Sequence, residues 1–353
     1  MGSWVVLPEP RSVRVDAAPD PPLGPNDVRI ATLYSGISAG TELAAYRGTN
    51  PYLAKRWDVE RRLFRDDASA SLSWPLEAPG YEQVGRVLEV GTRVDDARIA
   101  PGTLVHGTWG HRTHAVVPVE QVAWRTVPDG LDPILGIFAH IGAVALNGLL
   151  DARVRIGETV AVFGLGVPGQ IVAQLARRSG VRVIGVDPIP ARRETALGTG
   201  AAHEVLDPGA GDVAATIKDR TDGRGADVSI EVSGVAPALN EAIRATAYAS
   251  RAIALGFYQG DAVGLRLGDE FHHNRVTVVS SQISGVDPEL SGRWDRERLV
   301  RTAMALQAAG TLDLRPLITH VVPFEMAADA FRLLDETPAE ALQVVLRTEE
   351  ADA

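Results

Sequence analysis

The sequence predicts an α/β protein of two domains, in which an irregular β-rich region precedes a doubly wound parallel sheet. Three observations support this expectation. The chain has 353 residues, which is too long for one small domain. Residues 1–125 consist of short strand-like segments separated by proline and glycine. From about Pro133 onward, strands alternate with helices, which is typical of βαβ units.

Short alternating segments predict strands in the first region, among them Val28–Leu33, Gln83–Val90, Thr103–His106 and His114–Pro118. A polar insertion, Arg47–Asp67, interrupts this region and carries Tyr52, Trp57 and Phe64. An insertion of this length inside a compact domain is either a functional lid or a solvated surface excursion. The sequence leaves both readings open.

The second region predicts a parallel sheet that is covered by helices on both faces. The expected strands are Thr159–Phe163, Arg182–Val186, Val228–Val232, Arg251–Leu255 and Val276–Ser280, followed by Ile318–Pro323 and Leu342–Leu346. The expected helices are Pro133–Leu150, Pro168–Ser179, Ala191–Leu197, Pro237–Ala247, Asp295–Ala309 and Glu325–Leu334.

Composition excludes several classes of function. The net charge is −10 and no basic run is present, so nucleic acid and anionic membranes are not expected partners. The chain has no cysteine, which excludes disulfides, iron–sulfur clusters and thiolate zinc sites. The first residues contain no apolar signal core. The most apolar stretch, Ile134–Leu150, contains His140 and Asn147 and is expected to be too short and too polar to span a bilayer. We therefore expect a cytoplasmic protein.

A glycine motif follows the strand Thr159–Phe163 and opens a helix. Gly164, Gly166 and Gly169 form G-x-G-x-x-G, and this context favours a dinucleotide-binding turn over a plain strand–turn–helix. The first glycine permits the turn, the second lets the backbone approach a pyrophosphate, and the third lets helix and strand pack closely. Val167 and Pro168 begin the helix, whose free N–H groups attract the anion.

The next strand ends in Asp187. A carboxylate at this position accepts hydrogen bonds from both ribose hydroxyls and repels a 2′-phosphate, which favours NAD over NADP. Arg192 follows closely and keeps NADP open as the alternative. The remaining expected cofactor contacts are Ser233 and Gly256, which follow the next two predicted strands.

Four longer segments resemble the medium-chain alcohol dehydrogenases in their order and spacing: PGYEQVGRVLEVG, GETVAVFGLGVPGQIVAQLARRSGVRVIGVD, VSGVAPALNEAIRATAYASRAIALG and LITHVVPFEMAADAFRLL. The resemblance implies a GroES-like catalytic domain, residues 1–125 completed by 291–353, around a Rossmann NAD-binding domain, residues 126–290. A narrower similarity joins the chain to the NAD-dependent glycoside 3-dehydrogenases, through AGTELAAYRGTNPYLAKRWDVERRLF, GVDPIPARR, HHNRVTVVSSQ and the later RWDRERL. It implies oxidation of the C3 hydroxyl of a pyranoside.

The zinc-dependent members of the medium-chain alcohol dehydrogenases hold a catalytic zinc with three ligands. These are a Cys in the first glycine-flanked loop, a His in a G-H-E motif, and a Cys or Asp before the Rossmann strand. Here the loop reads GISAGTE, so that Ser38 or Ala39 takes the Cys position. The motif reads G-Y-E, with Tyr81 in place of the histidine, and His140 best matches the third position. Catalytic zinc needs three protein ligands, and Ser and Tyr are poor ones. We therefore expect a zinc-less site that holds no metal.

Without zinc, a positioned side chain has to take the alcohol proton as hydride leaves for the nicotinamide. His140 is the first candidate because it can titrate near neutrality; the alternative is a core histidine. Tyr81 can bond the substrate oxygen or merely fill the vacated space. Glu82 can orient His140, accept a substrate hydroxyl, or have only a structural role. Ser38 and Thr41 complete the expected catalytic set, since Thr41 matches the family's proton-relaying hydroxyl.

Three further histidines, His106, His111 and His114, lie close together in VHGTWGHRTHAVV. They lack metal-ligand spacing and a carboxylate partner in sequence, so we expect packing or solvated roles. Trp109 and His111 alternatively border the substrate.

The sequence as a whole predicts an NAD-dependent oxidoreductase that acts on a sugar, glycoside or polyol without zinc. One alternative is a reductase of a ketone or enone in natural-product assembly. Another is an NAD(P)-binding protein that has lost catalysis. The expected partners are a small-molecule substrate and further copies of the chain in a homodimer or homotetramer.

Overall fold

The structure is a computed structural model that describes residues 2–66 and 70–351. Asp67, the last residue of the polar insertion, lies outside the described residues. Contacts divide the chain into two units, one made of Met1–His140 and Ile318–Ala353, the other of Ile141–Leu317. This division assigns residues 126–140 to the first unit and 291–317 to the second, whereas the sequence placed the borders at 125/126 and 290/291.

Local packing explains both differences. Pro133–Ile137 packs on the first unit's sheet, where Gly136 approaches Val84. In the second unit, the Gln174 side chain exchanges two 2.8 Å hydrogen bonds with the backbone of Asp313. The segment that leads to Ile318 is therefore tied to the second unit.

Seventeen strands are described and are numbered in chain order. They are β1 Ser3–Leu7, β2 Arg14–Ala17, β3 Asp27–Ile37, β4 Arg56–Asp58, β5 Leu63–Arg65, β6 Leu76–Glu77, β7 Glu82–Val90, β8 Leu104–Gly107, β9 His114–Pro118, β10 Thr159–Phe163, β11 Arg182–Val186, β12 Glu204–Leu206, β13 Ala226–Glu231, β14 Thr246–Ala254, β15 Thr277–Ser280, β16 Ile318–Pro323 and β17 Gln343–Arg347.

Eight α-helices are described: α1 Glu42–Arg47, α2 Phe138–Ala152, α3 Val167–Arg178, α4 Pro190–Gly198, α5 Val213–Asp219, α6 Ala236–Ala245, α7 Arg296–Ala308 and α8 Ala327–Glu336. Shorter 3₁₀ turns occur at Pro51–Leu53, Val119–Gln121, Pro133–Ile137, Arg315–Leu317, Phe324–Met326 and Glu349–Ala351, and one π-helical turn at Leu267–Phe271.

The first unit is built around β3, the longest of its strands. β3 pairs antiparallel with β7, β9 and β17, in a sheet of order β16-β17-β3-β7-β8 to which β9 is added, and β1 lies between β2 and β6 in a second sheet. Its apolar residues form two buried clusters, one between α8 and β17 and one between β3, β8 and β9. Because β17 pairs with β3, the two ends of the chain form one sheet.

The second unit is a six-stranded sheet of order β12-β11-β10-β13-β14-β15, and every pair in it is parallel. Strand β10 is buried at all five residues, as expected for a strand covered on both faces. The chain runs outward from β10 to β12 and returns to β13 on the other side of β10. The order therefore reverses between β10 and β13, and ligands of such sheets bind at this reversal, beyond the carboxyl ends of the strands. The predicted doubly wound parallel sheet is confirmed.

Most predicted elements are found within two or three residues of their expected ends, and the differences have local causes. Strand β12 and helix α5 were not predicted, because they are short and carry little periodicity. Helix α6 ends at Ala245 rather than Ala247, since Thr246 has extended backbone angles and begins β14.

The apolar segment before β10 is longer than the sequence indicated. Pro133–Ala152 forms 20 helical residues with a mean hydropathy of 1.8, enough by length and composition to cross a membrane. The expectation that it is too short was wrong. Within the protein, however, 72% of its most apolar window is buried, as in the core helix of a globular fold.

Candidate active site and nucleotide-binding loop

The first unit brings the expected catalytic hydroxyls together. The Ser38 Oγ and Tyr81 OH lie 2.5 Å apart, and the Tyr81 hydroxyl also lies 3.4 Å from Thr41 Oγ1. The register between β3 and β7 explains why these hydroxyls lie close together, because Glu82 on β7 is paired with Gly36 on β3. Tyr81 just before β7 therefore lies beside Ser38 just after β3.

His140 joins this cluster from the first turn of α2. Its imidazole meets the Tyr81 ring edge-on, with 5.0 Å between ring centroids and 75° between planes. The residues before it, Phe138 and Ala139, are buried in the core, whereas His140 is half-buried. The structure therefore brings together His140, Tyr81, Ser38 and Thr41, with Glu82 next in sequence to Tyr81. We call these five residues the hydroxyl–imidazole cluster.

Electrostatics keeps Tyr81 in its phenol form. Burial, with a smaller effect of the Glu82 carboxyl, raises the pKa of Tyr81 well above its ordinary value of 10.0. A phenol that retains its proton can donate to a substrate oxygen or pass a proton through Ser38 and Thr41. It does not supply a phenolate base, so the imidazole of His140 is the cluster's candidate proton acceptor.

Glu82 is a buried carboxyl, only 2% exposed. Burial raises its pKa well above 4.5, and the nearby Glu42 carboxylate raises it further, while a hydrogen bond from Gln343 acts in the opposite direction. Within residues 2–66 and 70–351, its Oε2 has no hydrogen-bond partner. A Cβ at Gly36 would lie 2.7 Å from this oxygen, so a larger residue there would force the Glu82 side chain to shift.

The expectation that His111 lacks a carboxylate partner was wrong. His111 has a carboxylate partner, since its Nε2 lies 2.6 Å from Glu42 Oε2, while its Nδ1 lies 2.7 Å from Ser35 Oγ. The other Glu42 oxygen accepts a 2.9 Å hydrogen bond from the Ser38 backbone N–H. His111 and Trp109 are both buried, so neither borders an open surface of this unit.

His106 is also buried, as its packing assignment predicts. Burial lowers the pKa of His106 to about 3, and the charges of Arg125 and His140 contribute to the decrease. A neutral imidazole therefore lies near His140.

The donor set of this cluster does not fit a zinc ion. Catalytic zinc is held by three nitrogen, sulfur or carboxylate ligands, but the cluster offers only two groups of these kinds, the His140 imidazole and the Glu82 carboxyl, beside two aliphatic hydroxyls and a phenol. Across the described part of the chain, no group of three or more His, Cys, Asp or Glu side chains is arranged to hold a metal.

The second unit forms the glycine turn at the reversal between β10 and β13. Gly164 has a φ of +93°, which favours glycine. A Cβ on Gly169 would collide with the Gly164 carbonyl oxygen, whereas one on Gly166 would come no nearer than 4.0 Å to its surroundings. The first and third glycines are thus required by packing, and the second leaves open space at the start of α3. Val167 and Pro168 form the first turn of that helix. These residues fit a dinucleotide pyrophosphate.

Asp187 follows β11 and is 2% exposed. Its two oxygens accept 2.7 Å and 2.8 Å hydrogen bonds from the backbone N–H groups of Leu165 and Ile189. Arg192 Nη1 lies 3.8 Å from the same carboxylate. Asp187 therefore fixes the turn as well as providing negative charge beside it, a role that the sequence did not predict.

Ser233 and Gly256 lie at the carboxyl ends of β13 and β14. A Cβ on Gly164 would be 2.9 Å from the Ser233 backbone nitrogen, and a Cβ on Gly256 would collide with Gly234. The structure therefore gathers Gly164, Ser233 and Gly256 at one edge of the sheet. The sequence missed Glu231 and Tyr258, which join these loops, although a lone carboxylate at the end of the buried strand VSIE was a usable signal.

Together, the reversal point and the glycine turn define a dinucleotide-binding α/β protein. The sequence profile of the family described as zinc-binding dehydrogenase matches residues 166–296. The chain is 32% identical over 324 residues to the D-guloside 3-dehydrogenase of Shigella flexneri, covering 90% of this chain and 92% of that one. It therefore belongs to the medium-chain dehydrogenase superfamily, and it is an oxidoreductase of the sugar or alcohol dehydrogenase type.

Solved structures agree on the fold. The 2R,3R-butanediol dehydrogenase of Bacillus subtilis aligns with a TM-score of 0.79 at 21% identity, covering 98% of this chain and 99% of that one. A dehydrogenase from Sinorhizobium meliloti 1021, solved with NADP bound, aligns with a TM-score of 0.77 at 24% identity, covering 98% and 99%. The GroES-like and Rossmann architecture is confirmed.

Proposed function

We propose that the protein is an NAD-dependent dehydrogenase that oxidises a secondary alcohol of a sugar, glycoside or polyol, in particular the C3 hydroxyl of a pyranoside, without catalytic zinc. The observation that carries this proposal is the hydroxyl–imidazole cluster, in which Ser38, Tyr81 and His140 meet at the positions that correspond to the family's metal ligands. The similarity to a D-guloside 3-dehydrogenase supports the substrate class.

The residues divide the chemistry between them. NAD, held by the glycine turn and Asp187, would supply the acceptor for the hydride of the substrate carbon. The Tyr81 hydroxyl, fixed by Ser38 at 2.5 Å, donates to the substrate oxygen and orients it. His140 takes the alcohol proton, directly or through the hydroxyls of Ser38 and Thr41. Burial and the Glu42 carboxylate raise the pKa of Glu82, which favours its neutral form, and Glu82 serves to shape the site.

Asp187 supports NAD as the preferred dinucleotide. Its buried carboxylate sits at the end of β11, where it would face the adenosine ribose and repel a 2′-phosphate. Arg192 is the opposing feature, since an arginine at this place accommodates that phosphate. We propose that Asp187 dominates because both of its oxygens are anchored by the backbone.

We further propose that the protein acts in the cytoplasm as a homodimer or homotetramer. Strand β15 lies at one edge of the six-stranded sheet and exposes three of its four residues. An exposed edge of this kind is a template for pairing with another chain. A second copy of the protein is the partner that the family resemblance favours.

A substrate panel tests the proposal. Protein dialysed against EDTA is incubated with NAD⁺ and methyl glycosides, or with NADH and cyclic enones, and NADH absorbance is followed. Oxidation of glycosides with no added metal is the expected result. Reduction of enones alone would favour the natural-product alternative. Tight NADH binding with no turnover would favour a binding protein, and activity that returns only with zinc would refute the metal-free mechanism.

A further inference from the structure

Beyond the glycine turn, the carboxyl edge of the second unit's sheet contains a buried carboxylate. Glu231 is the last residue of β13, and it is 0% exposed. It accepts hydrogen bonds from the Ser233 N–H at 2.7 Å and the Gly234 N–H at 3.1 Å, and also from the Ser233 and Tyr258 hydroxyls. Two backbone and two side-chain donors thus converge on one carboxylate.

This carboxylate joins the loops that follow two neighbouring strands. Ser233 and Gly234 come directly after β13, and Tyr258 belongs to the loop after β14. The backbones of these loops touch, because a Cβ on Gly256 would collide with Gly234. Gly234 has a φ of +74°, so the turn that brings it there favours glycine. We call Glu231 and Tyr258 the carboxyl-edge clasp.

The clasp lies beside the pyrophosphate turn. Gly164 packs against Ser233, with a Cβ on Gly164 predicted to lie 2.9 Å from the Ser233 nitrogen and 3.0 Å from its Cβ. Gly164 follows β10 and Ser233 follows β13, so this contact spans the reversal point of the sheet. A dinucleotide in such a sheet crosses this point with its pyrophosphate at the glycine turn.

The two halves of the dinucleotide must then lie on opposite sides of the turn. Asp187, the candidate ribose acceptor, follows β11 on one side of β10, which assigns the adenosine half to that side. The other half extends toward β13 and β14, where the clasp fixes the loops. These loops are the part of the described sheet edge that the nicotinamide half would meet.

We propose that Glu231 and Tyr258 are positioning residues for the nicotinamide half of the cofactor, acting through the Ser233–Gly234 turn and the loop that contains Gly256. This inference rests on the proposed function, because it requires a nicotinamide dinucleotide as ligand. Neither side chain has to touch the cofactor. Removing the Tyr258 hydroxyl leaves Glu231 with fewer donors and removes the side-chain link between the β14 loop and the β13 turn.

The ionisation of both groups agrees with this role. Burial raises the pKa of Tyr258 far above 10.0, and the Glu231 charge raises it further, so the phenol remains a donor. Burial raises the pKa of Glu231, while the hydrogen bonds from Ser233, Tyr258 and Gly234 act to lower it. Within the clasp, the Tyr258 hydroxyl is therefore the donor and the Glu231 carboxylate is the acceptor.

Binding of two ligands that differ only in the nicotinamide half tests the proposal. Tyr258→Phe is titrated calorimetrically with NADH and with ADP-ribose, which retains the adenosine and pyrophosphate but lacks nicotinamide. We expect the NADH dissociation constant to rise at least about fivefold and the ADP-ribose constant to stay within about twofold. Glu231→Gln, which keeps the size of the side chain but loses acceptor capacity, should behave in the same way.

The control is Tyr248→Phe, whose side chain is on the same sheet and 65% exposed; it should bind both ligands like the unaltered protein. Unchanged NADH binding by both clasp variants would overturn the proposal. An equal loss for NADH and ADP-ribose would also overturn it, since the clasp would then support the sheet edge as a whole. If the unaltered protein binds neither ligand, the proposed function itself fails, and the two failures are thereby distinguished.

Discussion

His111 and Glu42 form a buried hydrogen-bonded pair, with 2.6 Å between His111 Nε2 and Glu42 Oε2. Ser35 Oγ, on the other side of the ring, also accepts a 3.0 Å hydrogen bond from the Gln83 amide. The two ring nitrogens of His111 thus contact the Glu42 carboxylate on one side and the Ser35 hydroxyl on the other. The pair thus anchors Glu42, which in turn holds the Ser38 N–H of the hydroxyl–imidazole cluster.

The first prediction concerns this pair. His111→Asn removes the donor to a buried carboxylate, and a hydrogen bond to a charged group contributes about 2 kcal/mol. We expect the free energy of unfolding to fall by about that amount in urea titrations. His114→Asn is the matched control, because His114 lies nearby on β9 with a side chain that is 34% exposed. Equal effects of the two substitutions would contradict a special role for the pair.

The second prediction concerns the pH dependence of stability. The pKa of Glu82 is raised in the folded protein, by burial first and then by Glu42. A carboxyl with a raised folded-state pKa favours folding below its unfolded pKa, and this contribution is lost as pH rises through the folded-state value. Glu82→Gln removes this loss of stability at high pH, because the glutamine side chain does not ionise. The variant should therefore be more stable than the unaltered protein at pH 8, with the difference disappearing near pH 4.

Thermal unfolding across this range measures the effect, since each kcal/mol corresponds to about 2–4 °C in a unit of this size. Glu120→Gln, at an exposed position, is the control and should show no such trend. A Glu82→Gln variant that is less stable at every pH would show that Glu82 is ionised in the fold.

The third prediction concerns the proton acceptor. His140→Ala should lower kcat by at least about tenfold, because positioned general acid–base groups contribute roughly 10²–10⁴-fold. NADH affinity should stay nearly unchanged, since the expected cofactor contacts lie on other residues. Steady-state kinetics with the glycoside identified by the panel, together with NADH titration, measures both quantities. Normal turnover would remove His140 from the mechanism.

The fourth prediction concerns the choice of dinucleotide. Asp187→Asn removes the negative charge but keeps one oxygen as an acceptor for the backbone. We expect the ratio of NADPH to NADH affinity to rise at least about tenfold, because the carboxylate charge that repels a 2′-phosphate is then removed. Asp207→Asn, at a 37% exposed carboxylate paired with Arg193, is the control. An unchanged ratio would mean that Asp187 only fixes the turn.

The fifth prediction concerns assembly through the edge of the six-stranded sheet. Val278 lies on β15 and is 37% exposed. Val278→Asp introduces charge at the proposed contact and should shift the protein toward the monomer in light scattering at micromolar concentration. Val263→Asp, at a 77% exposed position, should leave the mass unchanged. A monomer for the unaltered protein would refute the homo-oligomer.

The parallel sheet and its glycine turn were predictable from sequence because their signals are local. Apolar strands such as Thr159–Phe163 and the spacing of Gly164, Gly166 and Gly169 fall within a few residues of one another. The hydroxyl–imidazole cluster was predictable as a set of candidates only through the resemblance, since Ser38, Tyr81 and His140 lie far apart in the chain.

Other parts depend on pairing that no local pattern records. The bond between Glu42 and His111 joins residues 69 positions apart, and it arises from the arrangement of the strands around β3. Glu231 and Tyr258 meet because β13 and β14 are neighbours in the sheet. A carboxylate that closes a buried strand was visible in the sequence, but its partner was not.

Transfer of a labelled hydride tests the central claim most directly. A methyl pyranoside carrying deuterium at C3 is incubated with NAD⁺ and EDTA-dialysed protein, and the reduced cofactor is examined by mass spectrometry. We expect one deuterium in the NADH formed and a 3-keto glycoside as the other product. Unlabelled NADH, or no NADH from any secondary alcohol while the dinucleotide is bound, would contradict the account.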